Sequence, residues 1–192
     1  MTVVRRLLAL LGIGLGAAGL GDRALARGIP GGGRPGARSI ANVVVVRAPI
    51  ERVWAAISDI PSQPLWMREM KAVRLTTPGP VGVGTRGEAR VRILGIGVTD
   101  PVEIVAWDPP TRFALRHEGL FTGSGVITLR SSTAGDATTV EWEERLAPPV
   151  FPELGALLGR PVLSRIFRDD LDRFRRLVEA GELPADGPGR TA

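Results

Sequence analysis

The chain has 192 residues, 44% of them hydrophobic, with 25 Lys plus Arg against 20 Asp plus Glu, one His and neither Cys nor Tyr. Its formal charge is +5 and its isoelectric point about 11.2, which at first sight suits a partner such as nucleic acid or an acidic membrane. The absence of cysteine removes any disulfide framework, Cys-ligated metal and thiol nucleophile, and a single His removes multi-histidine metal sites, so neither metal nor cofactor is expected.

The charge is unevenly placed. Arg5, Arg6, Arg23, Arg27, Arg34 and Arg38 precede Ser39 with one acid, Asp22, and the remaining 19 basic and 19 acidic residues cancel. The body of the chain is therefore no polycation, and no nucleic-acid partner is expected. Leu7 to Gly21 (LLALLGIGLGAAGLG) is uncharged but shorter than the roughly 20 residues of a typical membrane span. It fits the apolar core of a signal peptide, with Ala24-Leu25-Ala26 as an A-x-A cleavage pattern. An uncleaved anchor fits as well. Residues 1–27 are thus a signal or anchor, with membrane contact through residues 3–21 or export after cleavage near Ala26, and the side of the membrane is open. Gly12 to Ala17 matches G-x-G-x-x-A, but no strand precedes it, which rejects a dinucleotide site. Gly28 to Arg38 (GIPGGGRPGAR) reads as a linker. The folded body then spans 39–181, and 182–192 is a flexible tail.

Within the body, the β-branched run Val43–Arg47 predicts a strand. Pro49 suits the first turn of a helix over Ile50–Ser58, whose Ile50, Val53, Trp54 and Ile57 share one face. A second short helix is expected in the proline-punctuated stretch Pro61–Met67. Strands follow at Ala72–Thr77, Thr85–Ile93, Val98–Trp107, Arg112–Glu118, Ser124–Ser131 and Thr138–Leu146, separated by turn-forming segments. Six consecutive strands at short spacing imply an antiparallel, strongly curved sheet.

A long C-terminal helix completes the body. Leu163, Ile166, Phe167, Leu171, Phe174, Leu177 and Val178 form one apolar stripe, and Pro161 is expected to start the helix or kink it away from a Pro152–Leu158 turn. Asp169–Arg173 and Asp172–Arg176 are i,i+4 pairs in the favourable acid-first order. With acids interspersed among its arginines, the opposite face reads as solvated.

Several landmarks occur in this order. Val46-Arg47-Ala48-Pro49-Ile50-Glu51-Arg52-Val53-Trp54 marks the first strand–helix junction, and Gly79-Pro80-Val81-Gly82-Val83-Gly84-Thr85 precedes the third strand. Glu103 to Phe113 (EIVAWDPPTRF) and Thr139 to Glu144 (TVEWEE) follow. The set, covering about Ile40 to Ala180, resembles the START/Bet v 1-like (SRPBCC) superfamily, most of all its polyketide cyclase/dehydrase and lipid-transport branch. The resemblance implies an α+β helix-grip fold: a curved antiparallel sheet of about seven strands wrapped around a long C-terminal helix, in the order β-α-α-β6-α. It carries no shared catalytic signature.

A sheet gripping one helix cannot fill its concave side everywhere, so an apolar cavity is expected there as a ligand site. Strand parity selects its lining. Phe113, Leu115 and His117 share a face, as do Ala89, Val91 and Ile93; Gly125, Ile127 and Leu129; and Val140, Trp142, Glu144 and Leu146. The candidate ligand-binding residues are Trp66, Val91, Phe113, Leu115, Ile127, Leu129, Trp142, Ile166 and Phe167. His117 and Glu144 are the two polar members of the inward sets. They are candidate catalytic residues as an acid/base pair, or a polar anchor; alternatively, each sits near a strand end and reaches solvent at the rim. Trp66 and Trp107 are stacking walls or ordinary packing. Thr122-Gly123-Ser124-Gly125 is not a nucleophile elbow, because glycine directly precedes the serine.

The function expected first is binding or transport of a hydrophobic small molecule such as a lipid, polyketide or isoprenoid. The alternatives are a polyketide cyclase, aromatase or dehydratase that moves protons through His117 or Glu144, and an interaction module with a vestigial cavity.

Overall fold

The computed structural model describes residues 39–93, 95–147 and 152–184, together with Ala18 and Leu20. The expected signal or anchor, apart from those two positions, and the whole of the linker lie outside the described residues. Among the described residues no helix is long and apolar enough to cross a membrane.

The element order is β1 (Ser39–Val46), α1 (Ile50–Ile57), a 3-10 segment (Ile60–Leu65), β2 (Met70–Leu75), β3 (Arg86–Ile93), β4 (Ile96–Asp108), β5 (Arg112–Glu118), β6 (Thr122–Ser131), β7 (Thr138–Ala147) and α2 (Pro152–Glu179). The seven strands form one antiparallel sheet in the order β1-β7-β6-β5-β4-β3-β2. This is the α+β helix-grip architecture expected.

Two details of the element bounds at the C-terminal end differ from expectation. Helix α2 runs through Pro161 from a start at Pro152, so one helix takes in both the expected turn and the expected helix. Proline there lacks a single N–H donor, and the helix continues on either side of it. The packed body also reaches beyond Gly181. Leu183 is buried in the core, and Arg52 donates to the carbonyls of Leu183 and Pro184 at 2.7 Å each.

The core follows from alternation. Along β7 the inward residues Thr138, Val140, Trp142 and Glu144 are buried, and Phe113, Ile127 and Leu129 face them from β5 and β6. Helix α1 adds Val53, Trp54, Ala56 and Ile57. Trp54 meets Trp107 and Phe113 edge-on, with ring centroids 5.2 and 5.9 Å apart. Trp66, at the end of the 3-10 segment, packs on Phe174 of α2 at 5.2 Å and Trp142 at 6.1 Å. Such edge-on pairs are a preferred aromatic geometry.

Helix α2 closes the grip from both sides. Near its C-terminal end, the backbone N–H of Arg47 donates to Glu179 Oε1 at 2.9 Å, which holds that carboxyl below its ordinary range. Towards its middle, Arg173 Nε donates to the Leu65 carbonyl at 2.8 Å, and the Arg68 N–H donates to Asp170 Oδ1 at 3.1 Å. The helix-surface pairing differs from the i,i+4 expectation: Arg173 is drawn to Leu65, and Asp172 lies 3.7 Å from Arg175.

Asp170 falls in the apolar stripe, between Phe167 and Phe174, and is 3% exposed. Burial raises its pKa to about 6, the Arg68 N–H opposes the shift, and Glu69 adds to it. A carboxyl held above its unfolded value favours the folded state at low pH and loses that contribution as pH rises through 6. Asp170→Asn keeps the acceptor for Arg68. It should raise the thermal midpoint at pH 7 to 8, with the gain shrinking towards pH 4; equal gains at both ends would contradict this account.

Candidate functional site

The two inward polar residues meet. His117 on β5 and Glu144 on β7 are separated by β6, which places Gly123 opposite His117 and Gly125 opposite Glu144. Glycine inside a strand commonly marks a close approach. A Cβ on Gly125 would lie 2.5 Å from Glu144 Oε2, in the space the carboxylate occupies. Gly123 has φ +155° and a Cβ there would overlap the Arg145 carbonyl. With no side chain from β6 in the way, Glu144 Oε1 reaches His117 Nε2 at 2.9 Å.

A third residue completes the group. Asp100 on β4 lies two residues before Val102, the register partner of His117. Its Oδ2 is 2.6 Å from His117 Nδ1, and its Oδ1 accepts from the Gly119 N–H at 3.2 Å. On the far side, Trp142 Nε1 donates to Glu144 Oε2 at 2.9 Å. A polar chain Trp142–Glu144–His117–Asp100–Gly119 thus crosses the inner face from β7 to β4 and on to the turn after β5. Glu144 is 4% exposed, and the side chains of His117 and Asp100 are 16% and 15% exposed.

The electrostatics follow from two carboxylates flanking one imidazole. Burial works against the imidazolium, but the bond to Asp100 and the approach of Glu144 outweigh it and raise the pKa of His117 to about 10. The two contacts are not equivalent. The Asp100 contact is a hydrogen bond, whereas the Nε2–H does not point along the 2.9 Å line to Glu144 Oε1, which makes that contact an unaligned ion pair. A protonated ring with both nitrogens committed has no lone pair to act as a base near neutral pH. The expectation that His117 and Glu144 separately reach solvent at the rim is overturned: Glu144 is buried, His117 is half-buried, and the two are in contact.

The structure sorts the candidate lining residues. Trp66, Phe113, Ile127, Leu129 and Trp142 are buried in one cluster, and Leu115 and Phe167 pack against it. The Phe167 ring lies 4.5 Å from that of Trp142. Val91, paired with Met70 and Val98, and Ile166 on α2 are half-buried and lie outside that cluster. Trp107 packs against Trp54 and Phe113. Under the C-terminal half of α2 the concave side is thus filled by aromatic rings. The polar chain lies on the same inner face, one alternation beyond Trp142 on β7. Trp66 Nε1 and Glu69 Oε2 are also buried, without hydrogen-bond partners.

Sequence reasoning missed Asp100 and Asp170. Asp100 sits beside Pro101 within β4, inside the strand expected over Val98–Trp107, but the inward sets expected from sequence leave that strand out. Asp170 falls at helical spacing from Ile166, Phe167 and Phe174, which was the signal for it.

A family model described as polyketide cyclase / dehydrase and lipid transport matches residues 37–179. The chain belongs to this family. Among curated proteins it is similar to an uncharacterized protein of Mycobacterium tuberculosis, 27% identical over 144 residues, spanning 72% of this chain and 83% of the relative. Its fold is similar to that of the Zhui aromatase/cyclase from Streptomyces sp. R1128, with a TM-score of 0.66 at 18% identity over 78% of this chain and 98% of the other. It is also similar to a START superfamily protein from Mycobacterium smegmatis, with a TM-score of 0.54 at 14% identity over 74% and 95%. The chain therefore has the START-like helix-grip fold.

Two outcomes test the site. Gly125→Ala should displace Glu144 from Trp142 and His117 and destabilise the fold by about 1–3 kcal/mol in chemical denaturation; a neutral substitution would show that Glu144 has other room. The second concerns pH. A histidine raised from about 6.5 in the unfolded chain contributes its stability fully below that value and loses it as pH rises towards 10. The thermal midpoint of the unmodified chain should fall across that window, and that of His117→Gln should fall markedly less.

Proposed function

We propose that the protein binds and carries an apolar small molecule of the lipid, polyketide or isoprenoid class on the concave side beside Asp100, His117 and Glu144, away from the aromatic rings that fill it under the C-terminal half of α2. The observation that carries this reading is the Asp100–His117–Glu144 group, with Glu144 buried and the other two half-buried, set into an otherwise apolar lining. Binding sites for apolar ligands are lined mainly by hydrophobic and aromatic side chains, with a few placed polar groups that fix orientation. The unaligned His117–Glu144 contact suits the polar end of such a ligand: a hydroxyl there accepts from Nε2–H and donates to Glu144 Oε1, adding two aligned bonds where the ion pair has none. The family's description as polyketide cyclase / dehydrase and lipid transport supports the same class.

The protonation of His117 favours holding over turnover. A cyclase or dehydratase reading is supported by one feature, acid and base groups within 2.9 Å of each other in a buried site, and by the fold shared with an aromatase/cyclase. It requires the bound substrate to separate His117 from one carboxylate so that a nitrogen becomes available. The N-terminal segment is proposed to act as address, either holding the domain at a bilayer through residues 3–21 or directing export with cleavage near Ala26.

Native mass spectrometry of the purified full chain should show a co-purified apolar ligand or saturable uptake of added oleic acid or geranylgeraniol. His117→Ala should weaken that uptake by about five- to fiftyfold, the worth of one or two lost buried hydrogen bonds. Absence of any ligand and of uptake would sink the carrier reading. For the enzyme reading, His117→Ala and Glu144→Gln should abolish turnover of a poly-β-ketone substrate; turnover that survives both removes them as proton carriers. Amino-terminal sequencing of the native protein separates the two fates of the leader, since a mature start at Arg27 is incompatible with an uncleaved anchor.

A further inference from the structure

The two edges of the sheet are built differently. Edge strand β2 (MKAVRL) is six residues long, carries Lys71 and Arg74, and shifts register between Met70 and Ala72. Charge, shortness and irregularity are the usual devices that keep an exposed edge from pairing. Edge strand β1 (SIANVVVV) has none of them. It is eight residues long, uncharged, free of proline and in unbroken register with β7, with Val43 and Val45 on its outer face 61% and 54% exposed.

Beside β1 a crevice of about 300 Å³ opens towards α2. It is lined by four consecutive strand residues, Ala41 to Val44, and by Arg168, Leu171 and Asp172 of the helix. Consecutive residues alternate between the faces of a strand, so a crevice touching all four runs along the free edge and not over one face. Asn42 in this lining is 6% exposed, and its Nδ2 has no hydrogen-bond partner. A buried amide donor in that state costs free energy, and an added strand brings carbonyl acceptors to it.

We propose that this edge is the interface for a second copy of the chain, with β1 pairing antiparallel to β1 about a two-fold axis normal to the sheet. The charges beside the strand select this occupant. Arg168 and Asp172 stand one helical turn apart on the crevice wall, and a two-fold interface is self-complementary. An axis normal to the sheet keeps both α2 helices on the same face of a continuous sheet. Each Arg168 then approaches the second copy's Asp172, and the reverse. Among the described residues Arg168 has no other ion-pair partner. The proposal concerns the outer edge of the sheet and is independent of what binds the concave face.

The test is the mass of the full chain in a mild detergent, by native mass spectrometry over a dilution series. The unmodified chain should be dimeric. Val43→Lys puts a charge on an exposed edge position and should raise the dimer dissociation constant at least about tenfold, as should Arg168→Asp, within the range of interface hot spots. Both positions are exposed, so loss of the fold is not expected, and retained far-ultraviolet circular dichroism checks this. The double exchange Arg168→Asp with Asp172→Arg should restore dimerisation. A monomeric unmodified chain overturns the proposal. A dimer indifferent to Val43→Lys overturns it as well and points to association through the leader, and failure of the exchange to restore the dimer overturns the two-fold arrangement.

Discussion

A seven-stranded sheet that grips one helix turns alternate residues of every strand inward, and curvature brings inward side chains of neighbouring strands towards one another. This convergence governs the molecule. Where the inward residues are large and aromatic, as at Trp142, Phe113 and Trp66, it yields a filled core against α2. Where β6 supplies glycine, it lets side chains two strands apart meet. His117 and Glu144 touch because Gly125 leaves Glu144 room to fold across β6. The site is thus a consequence of curvature combined with two missing side chains.

The same convergence decides the protonation of the site. Desolvation alone would favour neutral imidazole, but two carboxylates arriving from opposite sides make the cation the stable form. Buried ion pairs are weak sources of stability, since desolvation offsets much of their attraction, while a one-sided pair is strongly destabilising. A group of this kind is therefore costly to assemble and hard to modify piecemeal. In an apolar lining it gives a fixed polar landmark, which suits orientation of a ligand better than rapid proton exchange.

Much of this was legible in sequence. Period-two alternation put His117 and Glu144 in the inward sets, and the bounds expected for β5 were the observed ones. The distance between them was not legible, because register across three strands depends on turns and on the curvature of the whole sheet. The glycine pair in β6 was visible, but its meaning depended on which residues lay opposite. Asp100 lay within the strand expected over Val98–Trp107, but its role was not legible, because the pairing of β4 with β5 decides that it reaches His117. Continuity of α2 through Pro161 was misjudged because local propensity weighs proline heavily, whereas one missing donor is tolerated in a helix packed along β1 and β7.

The charge pattern gains a structural explanation from the outward face. Arg74 with Glu88, and Glu103 with both Arg86 and Arg116, pair across adjacent strands at 3.2, 2.9 and 2.9 Å, and Arg130 reaches Glu141 diagonally at 3.1 Å. Residues at or near opposite positions on one face of an antiparallel pair are close enough to interact, so the convex surface spends its arginines on its glutamates. Each such exposed pair is worth little in stability, but together they leave this surface without a large field of either sign. Four further acids, Asp100, Glu144, Glu69 and Asp170, are turned inward or lie at the closing seam, and His117 is the counter-charge to two of them. With these acids turned inward in a body whose charges cancel overall, the outer surface keeps a small basic excess that adds to the arginines of the leader.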